Sequence, residues 1–184
     1  MKSKIKVSMS CIFLLVCGLP QCSSQSVQSK TTLCDDGGPG VFTLNADSLP
    51  RAVIDSVMNA AESKQASADS GQTATEASPE KNLRGARIRL STDGTTEFLV
   101  LGSAPLSAGD ASWFWIVRKD GARAAILLWA AGNCIEAKSS KTHGYRDIEL
   151  LWASAGSQKT STYHYDGKAY RLAHSKMQDR GPDD

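Results

Sequence analysis

The chain has 184 residues, 41% of them hydrophobic and 22% charged, with 21 basic against 19 acidic side chains and a mean hydropathy of −0.28. That balance excludes a polytopic membrane protein, and 15 Gly with 6 Pro exclude a collagen-like or proline-rich fibre. The length suits one compact domain with appendages.

Lys2, Lys4 and Lys6 precede a mostly apolar run from Val7 to Val16. Gly18 and Pro20 break any helix there, and the small residues Ser23, Ser24 and Ser26 follow. This is the layout of a secretory signal peptide, and the run is too short for a transmembrane helix of about 20 apolar residues. The expectation is export, to the periplasm or the secreted space. Residues 1–24 are then removed and no transmembrane segment remains. A lipid anchor on Cys22 is disfavoured, because Pro20 and Gln21 stand where small residues belong. Cleavage takes away Cys11, Cys17 and Cys22 and leaves Cys34 and Cys134. An even pair in an exported chain reads as one disulfide. The competing reading is a free Cys134 thiol buried on a strand.

Residues 25–40 are polar, end in a Gly/Pro cluster and read as a tether. Val41 to Leu44 reads as a short strand. Ser48 fits a helix N-cap with Pro50 in the first turn, and Val53, Val57 and Ala61 share a face. This predicts an amphipathic helix over 49–63. Residues 64–80 are rich in Ser, Ala and Thr without large apolar side chains, which predicts a solvated linker.

From residue 81 the composition changes. All four Trp and all four Tyr lie beyond it. Arg84 to Leu90 alternates, with Ala86, Ile88 and Leu90 on one face and Arg87 and Arg89 on the other. Phe98–Leu101, Trp113–Val117 and Ala124–Trp129 are apolar on both faces and read as covered central strands. Asp-Gly occurs at 93–94, 120–121 and 166–167, the turn chemistry of hairpins. The predicted pairs are 84–90 with 96–102, 112–118 with 124–130, and 159–165 with 168–173. The fold class is mainly β (α+β): an antiparallel meander of seven or eight strands over 81–174, one N-terminal helix on a face, and a polar tail at 175–184. Phe98–Gly121 and Leu150–Gly167 also share a strand, loop, aromatic strand, Asp-Gly order.

Ser91-Thr92-Asp93-Gly94-Thr95-Thr96-Glu97 resembles the start of a degenerate VCBS/FG-GAP-type repeat. Gly144-Tyr145-Arg146-Asp147-Ile148-Glu149-Leu150, followed by Tyr163-His164-Tyr165-Asp166-Gly167-Lys168-Ala169-Tyr170, is similar to the ending of a group of uncharacterised exported bacterial β-proteins. The resemblance covers about residues 84–173 and implies a β-domain without a stated activity. Fuller repeats of that type hold calcium on several Asp or Asn side chains. Asp93 alone matches them here, against the roughly six to eight oxygens a calcium ion takes, so no metal is expected.

His143, His164 and His174 are the three histidines, and neither remaining cysteine carries a nucleophile signature. There is no Gly-x-Ser-x-Gly elbow and no His-Glu-x-x-His. No cofactor and no catalytic role are expected. The weakest alternative is a hydrolase using paired carboxylates, for which Glu97 and Glu149 are the pair to consider. Most aromatics build strand cores. For a binding surface the candidates are Trp113, Tyr163 and Tyr165. Residues 25–80 carry three basic against eight acidic side chains, and residues 81–174 thirteen against eight. Removing the three lysines of residues 1–24 leaves 18 basic against 19 acidic overall. The basic side chains Arg84, Arg87, Arg89, Arg118, Lys119 and Arg123 read as a solvated face that can also meet an anionic envelope component. No nucleic-acid partner is expected. The functional expectation is an envelope or secreted binding or structural module for an unknown protein or glycan. The alternative is an inhibitor of an extracytoplasmic enzyme, acting through a projecting loop at Ala104–Ser112 or Ser139–Tyr145.

Overall fold

The computed structural model describes residues 31–34, 44–69, 79–108 and 111–179. The expected signal peptide with Cys22, residues 25–30 and 35–40 of the tether, residues 70–78 of the linker and the end of the tail lie outside these.

Among the described residues ten strands form two antiparallel five-stranded sheets. One sheet has the order β2-β3-β4-β5-β6, from Leu44–Asn45, Leu83–Ile88, Thr96–Ala108, Ala111–Asp120 and Arg123–Gly132. The other has the order β1-β7-β8-β9-β10, from Thr31–Cys34, Cys134–Thr142, Tyr145–Ser154, Ser157–Tyr165 and Tyr170–Asp179. The protein is therefore mainly β, with ten strands in two layers where a single meander of seven or eight was expected. Asn133 alone separates β6 from β7, too short a link to read as a change of sheet. Gly132 makes the crossing possible, because a Cβ there would stand 2.7 Å from the Leu151 carbonyl oxygen.

The first sheet is covered on both faces. Leu99, Leu101, Phe114, Ile116, Leu128 and Ala130 pack against Leu33, Ile135, Ile148, Leu150, Tyr165 and Tyr170 of the second sheet. On the opposite face Phe98, Val100, Trp115 and Val117 pack under helix α1, Arg51–Met58, which contributes Val53, Ile54 and Val57. Burying each of those three helical side chains stabilises by roughly 1.5–3 kcal/mol. The runs Phe98–Leu101 and Trp113–Val117 are apolar at every position because both of their faces are covered. Ala124–Trp129 departs from that expectation. It lies in β6 at the end of the sheet, bulged opposite Ile116 and Val117, and Trp129 is 39% exposed.

The predicted hairpins are present, with Ile88 opposite Glu97, Asp120 opposite Arg123 and Tyr165 opposite Tyr170. Two further tight turns join β7, β8 and β9. His143 and Gly144 both take positive φ (50° and 82°), the conformation of a type I′ turn. Ala155-Gly156 closes the other.

Around the helix the boundaries shift. The Ser48 N–H and hydroxyl both donate to Asn45 Oδ1 (3.0 and 2.7 Å), so Ser48 serves a turn and not the helix cap. Pro50 precedes α1 directly, its carbonyl accepting from Val53 N–H at 2.8 Å. A second helix, α2 over Ala61–Asp69, runs into the expected linker. Its alanines favour helix, and Ser63 and Ala66 turn toward the core. Cys34 and Cys134 form a disulfide that ties the four-residue β1 to β7. β10 extends to Asp179, into the expected tail.

Candidate functional site

Two features of the surface and core stand out, a polar joint between the sheets and an open strand at the edge of one of them. The joint begins with the turn between β3 and β4. Its residues 91, 93, 95 and 97 alternate and direct four oxygen-bearing side chains at one point. Glu97 is fully buried. It accepts from the Leu90 N–H (3.4 Å), and its Oε1 lies 2.9 Å from Ser91 Oγ and 2.6 Å from Thr95 Oγ1. Ser91 Oγ also contacts Asp93 Oδ1, and Thr95 Oγ1 lies 2.8 Å from the same atom. Two hydroxyl protons therefore serve four hydroxyl–carboxylate contacts. Asp93 is held at a pKa of about 2, below its ordinary 3.8, first by the Ser91 hydroxyl and then by the Thr95 N–H and hydroxyl.

The second sheet supplies the other half. Tyr145 OH lies 3.4 Å from Thr95 Oγ1 and 3.5 Å from Asp93 Oδ2. Its ring stacks on Tyr165 with centroids 4.1 Å apart, and Tyr165 meets Tyr170 edge-on at 5.6 Å. Arg118 of β5 donates to Tyr165 OH (3.2 Å) and Tyr145 OH (3.5 Å). Those hydroxyls hold its guanidinium above the ordinary value, the Tyr145 bond most of all. Tyr170 donates to the Arg146 carbonyl at 2.8 Å, and burial pushes its hydroxyl well up. Arg146 in turn donates to the carbonyls of Lys138 (2.5 Å) and Ala137, which the bulge in β7 leaves open. The segments Ser91–Glu97 and Tyr145–Tyr170, far apart in sequence, thus meet in space. Chemically the joint is saturated, each of these side chains having a protein partner, and it fastens one sheet to the other.

The named candidates divide between the sheets. Trp113 is half-buried on the helix side of the first sheet, edge-on to Trp115 (5.9 Å) and Trp129 (5.5 Å). Tyr163 is half-buried and Tyr165 buried, both toward the inter-sheet core. The structure brings Tyr163 and Tyr165 together and keeps Trp113 apart from them. Glu97 and Glu149 also separate: Glu97 is inside the joint, whereas Glu149 faces outward beside Lys138 Nζ at 3.3 Å. His143 Nδ1 sits 2.8 Å from the Tyr165 carbonyl, His164 Nε2 lies 3.9 Å from Asp147 Oδ2, and His174 is exposed on β10. Among the described residues no three His, Cys, Asp or Glu side chains gather as a metal site. Of the two candidate loops, Ala104–Ser112 is mostly strand, and Leu106 folds back fully buried over Gly102. Ser139–Tyr145 holds the β7 bulge and the His143-Gly144 turn.

The open strand is β10. Among the described residues it has a neighbour, β9, on one side only. Every residue from Arg171 to Asp179 is exposed. Leu172 and Met177 are each 57% exposed and lie opposite Tyr163 and Lys159 on one face of the ribbon. His174 and Lys176 lie on the other face, opposite Thr162 and Thr160. Sequence reasoning placed this strand at 168–173 and missed its extension to Asp179, because the polar run Ser175–Asp179 reads as tail. The available signal was Met177, an apolar side chain five residues beyond Leu172. Comparison with protein-family models, with curated proteins and with solved structures finds no match for this chain.

Proposed function

We propose that the chain is an exported, non-catalytic binding module that takes a protein partner along β10. The carrying observation is that strand: unpaired on one side among the described residues, exposed over Arg171–Asp179, and bearing two large apolar side chains. An open edge offers N–H and C=O groups to a further strand, and exposed apolar side chains mark the face such a strand covers. The partner is an extended segment in which apolar residues meet Leu172 and Met177 while acidic residues meet His174 and Lys176. A second copy of the strand fits less well, since it would set these basic side chains against each other. The Cys34–Cys134 bridge supports an oxidising, exported location.

The test uses a synthetic peptide of alternating Asp and Val. It binds the full chain in titration calorimetry. Methylating the peptide nitrogens on the pairing edge weakens binding at least about tenfold, because the added strand loses its N–H donors. Leu172→Ser with Met177→Ser has a comparable effect. Equal binding of the methylated and plain peptides would refute strand addition. In an envelope extract, a photo-crosslinker at position 172 or 177 gives an adduct that one at Ala125 does not. If that adduct is a hydrolase, the module is an inhibitor.

A further inference from the structure

Four arginines have an acceptor inside the chain: Arg51 meets Asp55 and Glu80, Arg118 the two tyrosine hydroxyls, Arg146 two carbonyls, and Arg171 Asp166. Arg84, Arg87, Arg89 and Arg123 differ, and of these Arg87 and Arg89 line one cleft. Arg87 lies in β3 and Arg89 one residue past its end; two residues apart on extended backbone, their Cα atoms are about 7 Å from each other on one face. Among the described residues neither has a carboxylate partner; Arg87 lies over the Phe98 ring at 5.9 Å, which fixes its stem.

Between them opens a cleft of about 630 Å³, lined by Arg87, Arg89, Ser91, Thr92, Thr95 and Thr96. That volume is in the range of small-molecule sites. The register also sets Lys119 on this face, where its Nζ donates to the Gly121 carbonyl at 2.6 Å. One residue beyond the last β3–β4 pair, Ile88 with Glu97, Arg89 comes beside Thr96, and Thr96 pairs with Lys119 of β5. Asp93 is the nearby anion; its Oδ1 takes the Ser91 and Thr95 hydroxyls and the Thr95 N–H, and its Oδ2 lies 3.5 Å from Tyr145 OH. Two like-charged guanidiniums that no carboxylate pairs, with the Thr92 and Thr96 hydroxyls beside them, form a receptor for an oxyanion. A guanidinium fork matches two oxygens of such a group at once.

We propose that this cleft binds a phosphate-type oxyanion carried on a larger ligand, with Arg87 and Arg89 as the clamping side chains and Thr92 and Thr96 as hydroxyl donors. The site lies on the sheet opposite β10 and stands or falls independently of the strand-addition reading. A phosphorylated soluble molecule and the headgroup of an anionic lipid present the same chemistry.

The experiment titrates the full chain with three probes: inorganic phosphate, glycerol 1-phosphate, and vesicles of phosphatidylcholine with or without phosphatidylglycerol. Inorganic phosphate shifts the amide resonances of residues 91–96 and saturates on the order of 1 mM, a weak affinity that suits one bare anion. Arg87→Lys with Arg89→Lys keeps the net charge and the fold. It weakens binding about tenfold, because two forks become point charges. Arg84→Lys with Arg123→Lys, both exposed elsewhere, leaves binding unchanged. Glycerol phosphate binding without lipid enhancement assigns a soluble ligand, and tighter vesicle binding with the same Arg dependence assigns a headgroup. Either result sustains the site. Shifts spread over all exposed basic residues, equal sensitivity to both substitution pairs, or no saturation by about 100 mM phosphate would overturn it.

Discussion

The two sheets hold five strands each, yet their strands meet opposite surroundings. In β5, Phe114, Trp115, Ile116 and Val117 are all at 0% exposure, with the second sheet on one side and α1 on the other. In β10 no residue after Tyr170 is buried. A strand covered on both faces has every side chain committed to packing and none free to recognise anything. A strand open at its edge adds little to the core and keeps its backbone available. Under the strand-addition proposal the covered strands serve stability and the open edge serves a partner, and the polar joint at Glu97 and Tyr145 is where one layer is fastened to the other.

That contrast makes graded predictions. The largest effects belong to the links that hold the layers in place. Cys34→Ser with Cys134→Ser releases a loop with a sequence separation of 100 and lowers unfolding free energy by up to about 4–5 kcal/mol. Urea denaturation of the oxidised and the substituted chain measures it. Trp115→Ala empties a site that Gly102 and Trp113 close around, for a loss of about 3–5 kcal/mol in the same assay. A loss below about 1 kcal/mol at Trp115 would mean that the helix side is not a packed layer. Glu97→Ala is next, at about 1–3 kcal/mol, since it strands the buried Leu90 N–H and leaves the Ser91 and Thr95 hydroxyls to Asp93 alone.

A pH scan probes the joint more gently. Asp93 has a folded pKa of about 2 against an ordinary 3.8. The folded chain therefore binds fewer protons here than the unfolded chain between those values. The stability it contributes is complete above about pH 4 and is lost as the pH falls through about 2. Asp93→Asn removes that part of the acid slope, which unfolding midpoints between pH 5 and 2 would show. The smallest effect falls on the open edge. Leu172→Ser with Met177→Ser changes stability by less than about 0.5 kcal/mol while weakening peptide binding at least about tenfold. A large loss of stability there would break the division between the layers.

The covered layer was legible in the sequence because burial on both faces writes a continuous apolar run. Phe98–Leu101 and Trp113–Val117 are such runs, and the three Asp-Gly turns fixed their hairpins. The alternation of Arg87 and Arg89 with Ala86, Ile88 and Leu90 also translated directly into an outer and an inner face. The disulfide was legible as an arithmetic remainder. The joint was not. Glu97, Arg118 and Tyr145 are far apart in sequence, and what unites them is the β4–β5 register, which sets Glu97 opposite Arg118, and the crossing at Asn133. Neither leaves a local mark. Trp113, Tyr163 and Tyr165 were grouped by residue type, and type does not say which sheet, or which face of it, a side chain occupies.

The placement of β1 bears on how the chain is made. Residues 44–132 build one sheet from neighbours in sequence and residues 134–179 build most of the other; only Thr31–Cys34 crosses from the start of the chain to join β7. At a synthesis rate of about 5–20 residues per second, Cys34 emerges on the order of 5–20 seconds before its partner. Hairpins form in about 1–10 microseconds, so the intervening strands have ample time to assemble first. Through that interval Cys34 is an unpartnered thiol on an undocked strand. Docking of Thr31–Cys34, the earliest strand among the described residues, is then sealed by oxidation only after β2–β6 have assembled.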